Sequence, residues 1–150
     1  MTRKERRDYI LTLDKVVKRW VRNSRLFSGG CCFSAGQIAK LLEAKGIRYQ
    51  VICWESGFLK EKNLKEIVIN NNCCHVGIQV SLDGQKFIIG GGDFSLLNYF
   101  ATYVNTYKNM RSKEIIECDE LGVAANTWNR RYNRKLNSRF IGILNRAVSK

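Results

Sequence analysis

Three residues in the middle of the 150-residue chain have the chemistry of a thiol nucleophile and the two groups that activate it: Cys32, His75 and Asp93. His75 is the single histidine of the chain. An imidazole can take the proton of a thiol and later deliver it to a leaving group. A carboxylate bound to the far ring nitrogen fixes the tautomer of that imidazole. The three residues together predict a catalytic triad.

Cys32 lies at the start of a helix that the spacing of apolar residues predicts from about Cys31 to Lys45. At a helix N-terminus the unpaired N–H groups and the helix dipole favour the thiolate, and the same groups can donate to an oxyanion. Cys31 shares the apolar face of this helix with Ile38 and Leu42, which indicates that Cys31 is packed. Cys32 is therefore predicted to be the more accessible thiol of the pair.

His75 and Asp93 stand on either side of a predicted β-hairpin. The dipeptide Asp83-Gly84 separates two runs of strand-forming residues, which is a strong hairpin signal. Paired strands lie about 5 Å apart, so a hairpin can bring His75 and Asp93 side by side. Asp93 also has an alternative role, because it directly precedes a predicted helix that starts at Phe94, and Asp is a favoured N-cap.

The whole chain is predicted to form one α+β domain, with an antiparallel sheet packed against helices. Apolar periodicity, runs of β-formers and turn residues set the expected boundaries. Residues 56–70 are ambiguous between a short helix, a loop and a further strand. The expected elements are helices over 4–26, 31–45, 94–107 and 121–148, the last being one helix or two, and strands over 47–54, 74–82, 85–90 and 114–118.

Positive charge is concentrated at the two ends of the chain, whose net charge is +13. Residues 1–27 carry nine Lys or Arg against three acids, and residues 121–150 carry seven against none. Residues 28–120 carry ten charges of each sign. The domain therefore divides into a basic helix (1–27), a neutral core (28–120) and a basic helical end (121–150).

This distribution of charge favours contact with a polyanion, above all nucleic acid. The alternative is a pair of solvated helix faces that only keep the protein soluble. The charge is not accompanied by zinc-finger spacing, an aromatic RNA-recognition pattern or a clear helix-turn-helix. Any binding of nucleic acid is therefore expected to be directed at the backbone and to be sensitive to salt.

The six cysteines are expected to be reduced thiols. They include two adjacent pairs, Cys31-Cys32 and Cys73-Cys74, an unusual layout for disulfides. The charged N-terminal segment lacks the apolar centre of a secretory signal, and no apolar run approaches the roughly 18 residues of a membrane span. We therefore expect a cytoplasmic protein without membrane contact. A composition free of proline and rich in Asn and Lys suggests an AT-rich genome such as that of a phage, in which case the host cytoplasm or the virion is expected.

A zinc site is the one metal site that the cysteines suggest. Cys31, Cys32, Cys73, Cys74 and His75 could converge, and thiolates and imidazole suit zinc. Adjacent cysteines lack the spacing of about two to four residues that zinc ligands usually have, and neighbours on a strand point to opposite faces. We therefore expect no metal and no other cofactor.

The segment around Cys32 resembles the nucleophile turn of papain-like cysteine peptidases. Gly29-Gly30-Cys31-Cys32-Phe33 is similar to their Gly-x-Cys-aromatic segment, which opens a helix, and to the Gly-Gly-x-Cys of arylamine N-acetyltransferases. The residue before the aromatic Phe33 is Cys32. If Ala35 is instead matched to the transglutaminase pattern, the position of the nucleophile falls on Cys31.

The segment from His75 to Asp93 resembles the His-strand, turn and Asp-strand of transglutaminase-like and bacteriocin-processing peptidase domains. The resemblance covers residues 28–95 and implies a papain-like or transglutaminase-like core between the basic terminal helices. It implies Cys32 as nucleophile, His75 as base and acid, and Asp93 as orienting carboxylate. Papain-like enzymes usually carry an oxyanion Gln before the cysteine, but residues 24–29 contain neither Gln nor Asn.

Two classes of function follow from these features. The resemblance implies a cysteine hydrolase or acyl transferase that acts on peptide or amide bonds of a protein or peptide substrate. The charge favours a non-catalytic structural or nucleic-acid-binding protein whose basic ends contact nucleic acid or an acidic partner, and the composition suggests a phage as its source. The two can coexist, with bond breaking in the neutral core and polyanion contact at the ends.

Overall fold

The computed structural model describes residues 1–24, 30–55, 63–70, 73–90, 103–125 and 130–149. These residues form an α+β arrangement of five helices and four strands, in agreement with the expected fold class. The elements in chain order are α1 (Arg3–Ser24), α2 (Gly30–Ala44), β1 (Gln50–Glu55), α3 (Leu64–Ile69), β2 (Cys73–Leu82), β3 (Gln85–Ile89), β4 (Tyr103–Tyr107), α4 (Ser112–Ala125) and α5 (Arg130–Val148).

The four strands form one antiparallel sheet in the order β3-β2-β1-β4. β2 and β3 are the two arms of the predicted hairpin, and the chain turns at Asp83 and Gly84, where φ is +52° and +80°. A two-residue turn with positive φ at both positions matches the right-handed twist of the flanking strands. The hairpin predicted at Asp83-Gly84 is therefore confirmed.

The segment Tyr103–Tyr107 is strand β4 and not the end of a helix, so the prediction of a helix there is wrong. β4 pairs with β1, with Tyr107 opposite Val51 and Asn105 opposite Cys53. The helical spacing of the tyrosines suggested a helix, but the whole run from Tyr103 is rich in β-formers and gains the ladder hydrogen bonds of β1. Residues 94–102 of the predicted helix lie outside the described residues.

The segment 114–118 is helical, so the strand predicted there is also wrong. It lies within α4, where Ile115 and Cys118 are both buried. A spacing of three residues places two side chains on one face of a helix, but on opposite faces of a strand. Of the region predicted as one helix or two over 121–148, residues 121–125 belong to α4, which already begins at Ser112, and residues 130–148 form α5.

A short helix, α3, occupies part of the ambiguous segment. Asn63 caps it, since the Asn63 side chain accepts a hydrogen bond of 2.9 Å from the backbone N–H of Glu66. Leu64 and Ile67 face the interior and are fully buried. α3 packs on α4 and extends the helical layer.

One apolar core lies between the helices and one face of the sheet. Val51 and Cys53 of β1 lie opposite Ile78 and Val76 of β2, and these partners share the face that points to the core. α2 packs on β2, and α4 packs on α2. The residues that α2 contributes to this core are Cys32, Ala35, Ile38, Ala39 and Leu42.

The terminal helices α1 and α5 pack against each other on this core. Phe140 of α5 is fully buried, with ring-centroid distances of 5.3 Å to Trp20 of α1 and 6.4 Å to Phe33 of α2. Burial of a Phe side chain contributes about 1.5–3 kcal/mol, and a favourable aromatic pair adds about 0.5–1.5 kcal/mol. Within the described part of the chain, no helix has the length and apolar character needed to cross a membrane.

α1 also lies along the edge strand β3. The backbone N–H of Gly90 donates to Asp14 at 2.7 Å, and Asp14 binds Lys18 at 2.9 Å. A Cβ atom at Gly90 would lie 2.4 Å from a methyl group of Val17, so the two elements meet at a point that only glycine fits. α1 and β3 are therefore held by a hydrogen bond and by close backbone approach.

Replacing Gly90 with alanine should destabilise the protein more than the same change at Gly46. Both glycines have positive φ, +75° and +67°, which costs an L-residue about 1–2 kcal/mol. Only at Gly90 does the new methyl group also overlap Val17, and such overpacking costs about 1–3 kcal/mol more. Chemical denaturation measures both changes in the free energy of unfolding, and equal losses would contradict the close contact between α1 and β3.

Candidate functional site

The strand order creates two opposite ends of the sheet. We call one of them the hairpin end, because it contains the turn at Asp83. At this end β1 and β3 begin, and β2 and β4 finish. At the other, the histidine end, β2 begins and β1 finishes, close to His75. Glu43, near the C-terminus of α2, bonds to Ser112, which follows β4 at the hairpin end. The 15 residues of α2 span roughly 22 Å, so its first turn lies towards the histidine end.

Cys32 lies in this first turn of α2, packed in the core. It is only 7% exposed, it belongs to the same apolar cluster as Ala35 and Ile38, and its thiol is not in a disulfide. Against the expectation that Cys32 is accessible, it is buried, because it lies on the core-facing side of α2 together with Ala35 and Ala39. The side chain of Cys31 lies outside those that the structure describes.

His75 lies on the face of the sheet that is turned away from this core. It pairs with Trp54 across β1 and β2, and the two ring centroids are 5.3 Å apart. Its neighbour Val76 is 2% exposed in the core, and successive side chains of a strand point to opposite faces. The structure therefore brings Cys32 and His75 to the same end of the domain but into different layers.

Asp93, the third residue of the predicted triad, lies outside the described residues. Its pairing with His75 and its alternative role as an N-cap both stay predictions. The side chains of Cys73 and Cys74 also lie outside those that the structure describes. Within the described ranges, no group of three or more His, Cys, Asp or Glu side chains is placed to hold a metal ion.

A buried carboxylate at the histidine end, Glu55, was missed by the sequence prediction. Glu55 is 2% exposed and accepts hydrogen bonds from the Asn105 side-chain amide at 2.5 Å and the Tyr107 hydroxyl at 3.5 Å. A buried carboxylate is costly unless such donors satisfy it. The sequence signal for this burial is the alternation of side chains along β1, since Glu55 continues the inward-facing positions of Val51 and Cys53.

The charged faces of α1 and α5 form the second candidate site. On α5, Lys135, Arg139 and Arg146 are exposed and lie within about 40° of one another around the helix axis, on the side opposite the buried Leu144. α5 contains no acidic residue. The exposed cations described on α1 are Arg3, Lys4, Arg7, Lys15, Lys18 and Arg19, beside the exposed acids Glu5 and Asp8. We call these adjoining solvent faces of α1 and α5 the helical surface.

A hydrogen-bond network at the hairpin end is centred on Glu43. Its carboxylate accepts bonds from the Tyr49 hydroxyl at 2.5 Å and from the backbone N–H and hydroxyl of Ser112 at 2.9 and 2.7 Å. Burial alone would raise the pKa of Glu43, but these bonds and nearby Arg111 lower it below its usual value. The pKa of Tyr49 is raised, first by burial and then by its bond to Glu43. The network fixes the C-terminus of α2 to the start of α4.

Comparisons with known proteins identify no relative of this chain. No protein-family model, no curated protein and no solved structure matches it. The resemblance to papain-like and transglutaminase-like enzymes therefore rests on short sequence segments. Any assignment of function depends on the residues of these sites and on their geometry.

Replacing Glu43 with glutamine should make the stability of the protein less sensitive to acid. A carboxyl whose pKa is lowered on folding stabilises fully above its unfolded value of about 4.3, and this contribution is lost as the pH falls through the lower folded value. The free energy of unfolding should therefore fall more steeply for the wild type than for Glu43→Gln from about pH 5 downward. Tyr49→Phe, which removes one donor, should lie between them. Urea denaturation across pH measures these slopes, and parallel curves would contradict the network.

Proposed function

We propose that this protein binds nucleic acid through the helical surface, by contacts to the phosphate backbone. The observation that carries the proposal is the packing of α1 against α5 through Trp20 and Phe140. These helices contain the two most basic segments of the chain, which are separated by more than one hundred residues in sequence. Their contact brings these two basic segments together in space.

The electrostatic cost of this arrangement favours an anionic partner. Two unit charges 10 Å apart in water repel by about 0.4 kcal/mol before screening, and the packing of two basic helices against each other brings like charges closer together. A polyanion removes this repulsion and releases its own condensed counterions when it binds. The described ion pairs Lys18–Asp14 and Arg7–Asp83 neutralise two cations of α1, whereas α5 carries no acid of its own.

The chemistry of the helical surface predicts binding without base recognition. Lys and Arg side chains on exposed helix faces reach phosphate oxygens, which carry no sequence information. The three cations of α5 whose exposure the structure describes form a single stripe along the helix, suited to a row of phosphates. The proposed partner is therefore nucleic acid of any sequence, with an affinity set by ionic strength.

Neutralising two cations of the α5 stripe should weaken binding and its dependence on salt. Each phosphate contact in a duplex contributes about 0.9 to the slope of log affinity against log salt concentration. Lys135→Gln/Arg139→Gln should therefore lower the slope by about 1.8, as measured by fluorescence anisotropy with a labelled duplex. Lys65→Gln/Lys113→Gln is the matched control, since it removes the same charge from exposed positions on α3 and α4. Equal effects of the two double variants would contradict a localised surface.

A second candidate function, favoured by the position of Cys32, is a cysteine hydrolase or acyl transferase with a papain-like core. Cys32 lies in the first turn of α2, where backbone N–H groups favour a thiolate and can donate to an oxyanion. α2 packs on β2, and the elements follow the order of helix with cysteine, then strand with histidine. This order supports Cys32 as nucleophile, His75 as base and Asp93 as orienting carboxylate, acting on a protein or peptide substrate.

A β-bulge beside His75 also supports this candidate. Trp54 lies opposite His75, but Glu55 lies opposite Cys73, so Cys74 is an extra residue on β2. Bulges bend a strand and re-aim the side chains next to them, and they are common near active sites. A bend at this position would turn His75 towards the end of the sheet, where the first turn of α2 begins.

Rapid alkylation of Cys32 would be the signature of thiol catalysis. If His75 activates Cys32, iodoacetamide at neutral pH should label Cys32 faster than Cys53 or Cys118, although all three are buried. His75→Ala should abolish the difference while the circular dichroism spectrum is unchanged. Mass spectrometry of the labelled peptides gives the rate at each cysteine. Labelling of Cys32 no faster than that of Cys53 would exclude this second candidate.

A further inference from the structure

A broad groove lies at the hairpin end of the sheet, away from the thiol. It is lined by the start of α1, the loop between α2 and β1, the hairpin around Gly84 and the loop between β4 and α4. Its volume is about 1370 Å³. Pockets for small molecules usually measure about 300–1000 Å³. The groove is therefore large enough for a segment of a chain molecule.

Positive charge dominates this groove. Among the described residues, six cationic side chains line it against one acid, Glu43, which leaves an excess of five positive charges. The two ion pairs found in the described ranges, Arg7–Asp83 and Lys18–Asp14, use none of these cations. The six cations are Arg6, Lys45, Arg48, Lys86, Lys108 and Arg111.

The acid among the described lining residues, Glu43, is already engaged. Glu43 accepts bonds from Tyr49 and Ser112, and its lowered pKa keeps it ionised beside Arg111 at neutral pH. An anionic ligand therefore meets cations that no described ion pair occupies. The network also holds the Tyr49 ring in place as one wall of the groove.

Neutral groups of the groove complement its charge. The half-buried Tyr49 ring can stack on a nucleobase, and side-chain amides can bond base edges. The side-chain N–H of Gln79 donates to the side-chain oxygen of Gln50 at 3.4 Å. Both amides line the groove together with that of Asn109. A cationic channel for phosphates combined with an aromatic platform is the usual make-up of a single-strand binding site.

We infer that this groove binds single-stranded nucleic acid. The inference rests on the proposed function and adds a second site that takes a different form of the same polymer. A duplex presents its phosphates on a convex outer surface and suits the exposed faces of α1 and α5. An unpaired strand offers phosphates and base faces at once, which matches the cations and the Tyr49 wall of a concave groove.

Removal of two groove cations should affect the single strand selectively. Arg48 and Lys108 lie in different loops and are exposed, so Arg48→Gln/Lys108→Gln leaves the core intact. For a labelled single strand of about ten nucleotides, the slope of log affinity against log salt should fall by about 1.4. The affinity for a duplex of the same length should stay unchanged. Lys135→Gln/Arg139→Gln is the reciprocal control and should reduce duplex binding alone.

The outcomes separate the groove from the helical surface. Loss of single-strand affinity in the groove variant, with duplex affinity retained, supports the inference. Equal loss of both forms in both variants overturns it, because the effect is then one of net charge. Binding of duplex but not of single strand by the wild type overturns the groove alone, and binding of neither overturns the proposed function as well. Adenosine monophosphate serves as a competitor in the same assay. If it competes as strongly as the oligonucleotide at equal phosphate concentration, the single strand is overturned as the ligand.

Discussion

The burial of Phe140 between the first two helices is the constraint on which the arrangement of this protein depends. Its ring lies between Trp20 of α1 and Phe33 of α2, so the last helix closes over the first. The apolar contribution of this junction, about 1.5–3 kcal/mol for Phe140 alone, exceeds the repulsion of any one pair of exposed charges on the two helices. Packing therefore decides the fold, and the positive surface is its consequence.

The antiparallel sheet determines where the remaining chemistry lies. Because β1 and β3 begin where β2 and β4 finish, loops with cations from distant parts of the chain converge at the hairpin end. α2 runs along the sheet, so Glu43 is held at that end while Cys32 is carried towards the other. Residues 28–120 are neutral in sequence, yet Lys45, Arg48, Lys86, Lys108 and Arg111 share one groove. Neutrality along the chain thus says little about neutrality in space.

Local chemistry could be predicted from the sequence, and pairing between distant segments could not. The Asp83-Gly84 turn and the apolar stripe of α1 depend on neighbouring residues, and both are present in the structure. The segment from Tyr103 has a spacing that suits either a helix or a strand, and the free edge of β1 decides between them. Burial of Cys32 depends on which side of α2 faces the core, and the apolar periodicity of the sequence did not indicate that Cys32 lies on that side. The groove could not be predicted, because its six cations are adjacent only after the sheet has formed.

α1 connects the two proposed binding surfaces as one rigid element. Its 22 residues extend roughly 33 Å. Arg6 near its start lines the groove, and Trp20 near its end packs beside α5. Changes in α1 would therefore disturb both surfaces, and also the contacts of Asp14 and Val17 with Gly90. Residues outside α1 separate the surfaces instead: Lys135 belongs only to the helical surface and Lys108 only to the groove. A polyanion that occupied either surface would relieve repulsion along the same helix, so binding at each should raise the stability of the junction at Phe140.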